Sequence, residues 1–275
     1  MTFFPNHWKK LKLWIAILGI LFLGSHQLLA RPDRQSPLAD MQLSAFALLA
    51  DVTDLSGITF DPRDNTLYAI SNAPAIFQLD LNGKLLRQIH LHGFQDTEDI
   101  VYLNDNQFAI VEERRREIVF VNINADTTTI DYRKERKTSL DTSTLGETLV
   151  KNRGLEGITR DDNGALLVAH ENHPQQVGTA SDSTENTFQI SNHFKPHGDD
   201  VAGIHYWQAR QGLLVLSEAS RTIFWYENQQ LAGDYPLTYD RLGLLARIDQ
   251  PEGITTDSRG RIYIAAEPNR IFVLE

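Results

Sequence analysis

Leu155-Glu156-Gly157-Ile158, followed by Leu166-Leu167-Val168-Ala169-His170-Glu171, decides the fold, because these two phrases return four more times along the chain. The first recurs as Ser56-Gly57-Ile58, Glu98-Asp99-Ile100, Ala202-Gly203-Ile204 and Glu252-Gly253-Ile254. The second recurs as an apolar run closed by a polar residue: Leu67 to Asn72, Gln107 to Glu112, Leu213 to Glu218 and Ile262 to Glu267. Central residues of the first phrase lie 42, 58, 46 and 50 residues apart, and the second phrase ends 15, 13, 14, 15 and 14 residues further on. Turn-formers such as Asp161-Asp162-Asn163-Gly164 and Asp257-Ser258-Arg259-Gly260 separate the two phrases, so each pair reads as a β-hairpin.

A mean period of 49 residues suits the four-stranded blade of a β-propeller. Third strands are expected at Ile76-Phe77, Ile118 to Phe120, Ile223 to Tyr226 and Ile271 to Leu274, and a fourth at Lys84 to Leu91. Residues 172 to 200 are polar and read as a long loop with one strand near Phe188-Gln189-Ile190. The charged cluster Arg133 to Lys137 reads as a solvated edge. The fifth repeat runs out after its third strand, and the apolar segment Leu43 to Leu49 is available to complete it. The fold class is therefore all-β: a β-propeller of five four-stranded blades closed by an N-terminal strand. The 58-residue interval leaves six blades as the alternative.

The 275 residues carry 26 Lys and Arg against 36 Asp and Glu, a net charge of −10, which argues against a nucleic-acid partner. No Cys is present, so disulfides, thiolate metal sites and a Cys nucleophile are excluded. No G-x-S-x-G, phosphate-loop or dinucleotide motif occurs. His170-Glu171-Asn172-His173 lacks the spacing of a zinc-protease helix, and Pro174 follows at once. At the N-terminus, Lys9, Lys10 and Lys12 precede the uncharged stretch Leu13 to Ala30. Residues 1 to 30 read as a signal peptide or membrane anchor, 31 to 41 as a linker and 42 to 275 as the propeller domain. Because lysines stay inside, the propeller is expected at the cell membrane facing outside the cytoplasm. That is the periplasm in a Gram-negative cell, with secretion following if the leader is cleaved.

In a propeller, the start of a blade's first strand and the end of its second lie at the same mouth of the axial channel. One tier there comprises Ser56, Glu98, Glu156, Ala202 and Glu252, and a second comprises Asn72, Glu112, Glu171, Glu218 and Glu267. Seven crowded carboxylates raise one another's pKa unless something compensates. A cation on the axis would do so, and oxygen-only ligands favour Ca²⁺, with Mg²⁺ as the alternative. Glu98, Glu156, Glu252, Glu112, Glu171, Glu218 and Glu267 are the candidate metal ligands. Ser56, Asn72, Asp99 and Arg114 are candidate ligand-binding residues of the same mouth. The competing structural reading has each carboxylate accept neighbouring backbone N–H groups.

These repeats, together with the lysine-flanked apolar N-terminus, resemble the SdiA-regulated (YjiK-like) proteins of bacteria over about residues 42 to 275. Leu55-Ser56-Gly57-Ile58, Thr97-Glu98-Asp99-Ile100, Leu155-Glu156-Gly157-Ile158 and Pro251-Glu252-Gly253-Ile254 carry the likeness. Phytase-like esterase domains and the gluconolactonase-like group use similar words. The resemblance implies a β-propeller exported to or held at the cell membrane, with calcium on its axis, and no established reaction. Glu98, Glu156 and Glu252 match the family pattern, whereas Ser56 and Ala202 depart from it. Three functional readings follow: a membrane-tethered or secreted propeller presenting a cation-bearing mouth to a ligand or partner, a Ca²⁺-dependent hydrolase of phosphoesters or lactones, and a metal-free interaction scaffold. No residue stands out as a catalytic nucleophile.

Overall fold

The computed structural model describes residues 36–50, 52–141, 154–171, 175–184, 187–241 and 244–275. The chain divides into two units, Met1–Ser36 and Pro37–Glu275, and the second carries the fold described below. The expected leader, residues 1 to 30, and residues 31–35 of the expected linker lie outside the described residues. No helix among the described residues is long and apolar enough to cross a membrane.

The described chain opens with β1 (Leu43–Leu48), whose partner comes last in sequence. Blade 1 is β2 (Leu55–Asp61), β3 (Thr66–Ser71), β4 (Ala75–Leu79) and β5 (Leu85–His92). Blade 2 is β6 (Thr97–Asn104), β7 (Gln107–Glu112), β8 (Glu117–Asn122) and, after the short β9 (Thr129–Asp131), β10 (Arg136–Asp141). Blade 3 is β11 (Leu155–Arg160), β12 (Leu166–His170), β13 (Gln176–Thr184) and β14 (Thr187–Phe194). Blade 4 is β15 (Gly203–Trp207), β16 (Gly212–Ser217), β17 (Thr222–Glu227) and β18 (Gln230–Pro236), and a hairpin of β19 (Thr238–Arg241) and β20 (Leu244–Arg247) follows. Blade 5 is β21 (Pro251–Thr256), β22 (Ile262–Ala266) and β23 (Arg270–Leu274), completed on its outer edge by antiparallel β1. The five inner strands touch in the cyclic order β2, β6, β11, β15, β21 and back to β2, so the ring closes with five blades.

The core is five cores, one in each gap between adjacent blades. Ile70, Ile76 and Ile89 of blade 1 pack on Phe108, Ile110 and Val119 of blade 2. Leu216, Ile223 and Trp225 of blade 4 pack on Ile254, Ile264 and Phe272 of blade 5, and Tyr263, Ala265 and Ile271 of blade 5 return to Leu55, Leu67 and Phe77 of blade 1. Each blade is thus covered on both faces, which is why β3, β16 and β22 are buried at every residue and read as continuous apolar runs.

Two sequence expectations are corrected. Residues 176–194, read as loop with one strand, form the antiparallel pair β13 and β14, both edges hydrogen-bonded. Their polar side chains sit on the rim of the molecule, where backbone pairing rather than burial makes the strand. Part of the cluster read as a solvated edge starts β10, where Arg136 stacks 3.4 Å from the Phe120 ring centroid. β10 pairs in parallel with β14, and β9 with β5, so outer edges of neighbouring blades are joined.

Candidate functional site

A bulge at the head of each inner strand aims its first residue. The pairing passes from Leu55↔Ser71 to Gly57↔Ile70, from Leu155↔His170 to Gly157↔Ala169, and from Pro251↔Ala266 to Gly253↔Ala265. Ser56, Glu156 and Glu252 are therefore the extra residues of β-bulges, a device that turns a side chain out of the sheet's alternation. β6 slips in the same way between Thr97 and Ile100, the interval holding Glu98 and Asp99. In blade 4 the N–H of Ala202 donates to Leu216, the residue already paired with Gly203.

The second tier follows directly on the second strand of each blade, at Asn72, Glu113, Glu171, Glu218 and Glu267. Backbone bonds fix the equivalence: the N–H groups of Asn72, Glu113, Glu171 and Glu267 donate to the carbonyls of Asp54, Asp96, Gly154 and Gln250 at 2.9, 2.9, 3.0 and 2.9 Å. Glu113, not Glu112, thus occupies the repeat position in blade 2. Glu112 is instead fully buried one residue earlier, in an ion pair with Arg115 at 2.9 Å and accepting the Gln95 N–H at 2.5 Å. The irregular 13-residue interval to Glu112 was the available signal, since Glu113 restores the 14 seen in blades 3 and 5.

Carboxylates from separate blades face one another here. Burial raises the Glu98 carboxyl to about 8, helped by the charges of Asp96, Glu113 and Glu267. Burial and then the charges of Glu218, Glu267 and Glu98 raise Glu252 to about 8 as well. Glu156 is pushed well up by burial and by Glu98, Glu113, Glu171 and Glu252, and burial with Asp96 and Glu171 raises Glu113 to about 7. Burial also raises Glu218 and Glu267. Two side-chain amides contact the ring, Asn72 Nδ2 donating to Glu98 Oε1 at 3.1 Å and Gln250 Nε2 to Glu267 Oε2 at 2.8 Å. Arg114, expected near the mouth, reaches Asp96 at 2.6 Å.

Asp96, Glu98 and Glu113 each offer an oxygen within 4.8 Å of the other two. Glu113 is only 7% exposed, and its Oε1 is buried without a hydrogen-bond partner. An oxygen in that condition fits a cation ligand or a shared proton. Asp96 was not foreseen. It sits two residues upstream of the repeated phrase, where the other blades carry Asp54, Gly154, Asp200 and Gln250, so Asp recurs there in three of five blades and was the available signal.

Below this tier, Asp99 replaces the glycine of the other four blades. Its carboxylate accepts the N–H of Ile100 at 2.8 Å and of Ile158, across the blade gap, at 2.9 Å. The sequence placed Asp99 among ligand-binding residues; the structure buries it in the middle of the ring, 3% exposed, as a backbone tie.

Among solved structures, the chain is similar to a streptogramin B lyase, at 17% identity and a TM-score of 0.45 over 80% of this chain and 64% of that one. It is also similar to the selenomethionine-substituted virginiamycin B lyase from Staphylococcus aureus, at 20% identity and a TM-score of 0.44 over 80% of this chain and 65% of that one. The chain spans less than two thirds of the length of either. The SdiA-regulated family model matches residues 39–275, the whole propeller with its closing strand, and the chain belongs to that family.

Proposed function

We propose that this is an exported β-propeller, held at the membrane by its N-terminal segment or released by cleavage, that binds a divalent cation at its glutamate mouth and presents that mouth to a ligand or partner. The observation that carries the reading is the orphaned Glu113 Oε1 beside Asp96 and Glu98. Glu98, Glu113 and Asp96 would hold the ion, with Glu156 and Glu252 supplying further negative charge. Among the described residues no basic side chain pairs with Glu98, Glu156 or Glu252. Hard carboxylate oxygens suit Ca²⁺, with Mg²⁺ the smaller alternative. A bound ion would offer its remaining positions to oxygen groups of a ligand. The leader, with Lys9, Lys10 and Lys12 ahead of an 18-residue uncharged run, supports export and attachment.

The test is metal analysis of the purified full chain, with thermal scans in chelator and in added Ca²⁺ or Mg²⁺. A ligand bound only by the native state raises the melting temperature by mass action. A saturable rise with Ca²⁺, abolished in Glu98→Gln/Glu113→Gln, is the expected result. A protein that carries no divalent ion and melts identically in chelator and Ca²⁺ would overturn the reading.

A further inference from the structure

The opposite mouth of the axis is chemically different. A cavity of about 310 Å³ opens there, walled by Phe60, Tyr102 and Tyr206 and floored by Thr59, Thr159 and His205. The residue that follows the repeated isoleucine in each inner strand is Thr59, Val101, Thr159, His205 or Thr255, and the first four of these line the cavity. Three of these threonines link blades. Thr255 Oγ1 accepts the Phe60 N–H at 3.2 Å, Thr59 Oγ1 that of Tyr102 at 3.1 Å, and Thr159 Oγ1 that of Tyr206 at 2.9 Å.

A hydroxyl that has accepted an N–H still owns a hydrogen to donate. Among the described residues, the Thr59 and Thr159 hydroxyls accept these bonds and donate none. In blade 2 the position is Val101, which has no oxygen to offer the N–H of Arg160 in blade 3. Arg160 adds the charge. Its Nη1 donates to the Leu103 carbonyl at 2.6 Å, and no carboxylate among the described residues lies in ion-pair distance. Two other arginines on this side are ion-paired, Arg63 with Asp61 and Arg261 with Asp257, which also lines the cavity. His205 adds no charge, because burial lowers its pKa to about 3, and its Nε2 contacts Thr256 Oγ1 at 2.8 Å. The cavity therefore has spare donors, the Arg160 guanidinium in its lining and aromatic walls. Asp99, tied to backbone amides inside the ring, separates it from the glutamate mouth.

We infer that this second mouth binds a small molecule with a carboxylate on an aromatic body, the carboxylate at Arg160 and the threonine hydroxyls and the ring between Tyr102 and Tyr206. Charge-assisted bonds to a guanidinium give the head group its anchor, and ring stacking gives the body its place.

Phenylacetate and its neutral counterpart 2-phenylethanol are the probes, followed by saturation-transfer NMR on the full chain in the presence of EDTA. Phenylacetate is expected to receive saturation and 2-phenylethanol much less, with Arg160→Gln weakening phenylacetate about tenfold or more. Equal signals from both probes, no signal from phenylacetate, or an unchanged affinity in a folded Arg160→Gln protein would each overturn the inference. The comparison of the two probes needs no variant, so it decides the matter even if Arg160→Gln fails to fold. Because EDTA is present throughout, failure here leaves the cation reading untouched, and failure of the cation reading leaves this one standing.

Discussion

Asp99 shows how much one residue at the axis does. Gly57, Gly157, Gly203 and Gly253 let the inner strands converge: a Cβ on Gly253 would lie 2.7 Å from the Gly57 Cα, and one on Gly57 2.6 Å from the Asp99 Cα. The fifth position is Asp99, whose carboxylate takes the N–H groups of Ile100 and Ile158. Asp99→Ala leaves both donors buried without a partner, and each costs about 1–3 kcal/mol. Urea denaturation should therefore show a loss of about 2–5 kcal/mol, with Asp99→Asn, which keeps one acceptor oxygen, losing less. Equal midpoints for wild type and Asp99→Ala would refute the tie. His205 makes a second residue-scale prediction. Its folded pKa of about 3 lies below the ordinary 6.5, so between those values the unfolded chain binds the proton and the native state does not. Stability from His205 is complete above pH 6.5 and is lost as pH falls toward 3; in His205→Gln the stability–pH slope in that window should be shallower. At this scale the sequence revealed Glu98, Glu156 and Glu252 because repetition exposed them. Asp96 stands outside the repeated phrase, although Asp54 and Asp200 repeat it two residues upstream in blades 1 and 4, and the linking threonines were visible as Ile-Thr in three repeats but carry no charge to draw notice.

At the scale of elements, closure by β1 carries the heaviest structural demand. β1 pairs with β23 from Leu43↔Leu274 to Leu48↔Arg270, and flanking bonds join Gln42 to Glu275 and Leu49 to Asn269. Without β1, blade 5 would expose the edge of β23, a template for pairing with other chains. Deleting residues through Leu49 should abolish the cooperative melting transition and produce aggregation in light scattering. A synthetic peptide of residues 37–50 should restore part of the transition by adding the strand in trans. A truncated chain that melts like the full one would show that closure lies elsewhere. β1 was legible because its apolar segment had no other partner in the repeat scheme. The inner and second strands were equally legible, since blades cover both their faces and leave long apolar runs. Outer strands were harder: β18 is exposed or half-exposed at every residue, and β13 with β14 is so polar that composition alone reads it as loop. Their existence rests on ladder bonds and on edge joining such as β10 with β14, which no single-sequence period encodes.

At the scale of the whole molecule, the two mouths of the axis differ in charge. Buried glutamates crowd one mouth, while the opposite cavity is lined by the Arg160 guanidinium. The crowding was legible from the five-fold repeat, and so was Arg114 as a charge beside it, but the bond from Asn72 to Glu98 was not, because that contact crosses between blades. The final prediction concerns pH and cation together. Glu98 and Glu252 are raised to about 8 and Glu113 to about 7, so in chelator the native state keeps protons that the unfolded chain, titrating near 4.5, has released. The stability these groups provide is fully present below about pH 4.5 and is lost as pH rises through 7 to 8. His205 adds a slope of the opposite sign that fades as pH rises past 6.5, and Asp99, which burial also raises well above the ordinary carboxylate range, adds to that of the glutamates. In EDTA the melting temperature should fall from pH 6.5 to pH 8. Ca²⁺ binds the ionised carboxylates in competition with protons, so its stabilisation should grow over the same interval. Glu98→Gln/Glu252→Gln should flatten both trends, since a neutral amide neither holds the extra proton nor draws the ion. A melting temperature that rises with pH in EDTA, or a Ca²⁺ effect that shrinks toward pH 8, would mean that other groups already neutralise this mouth.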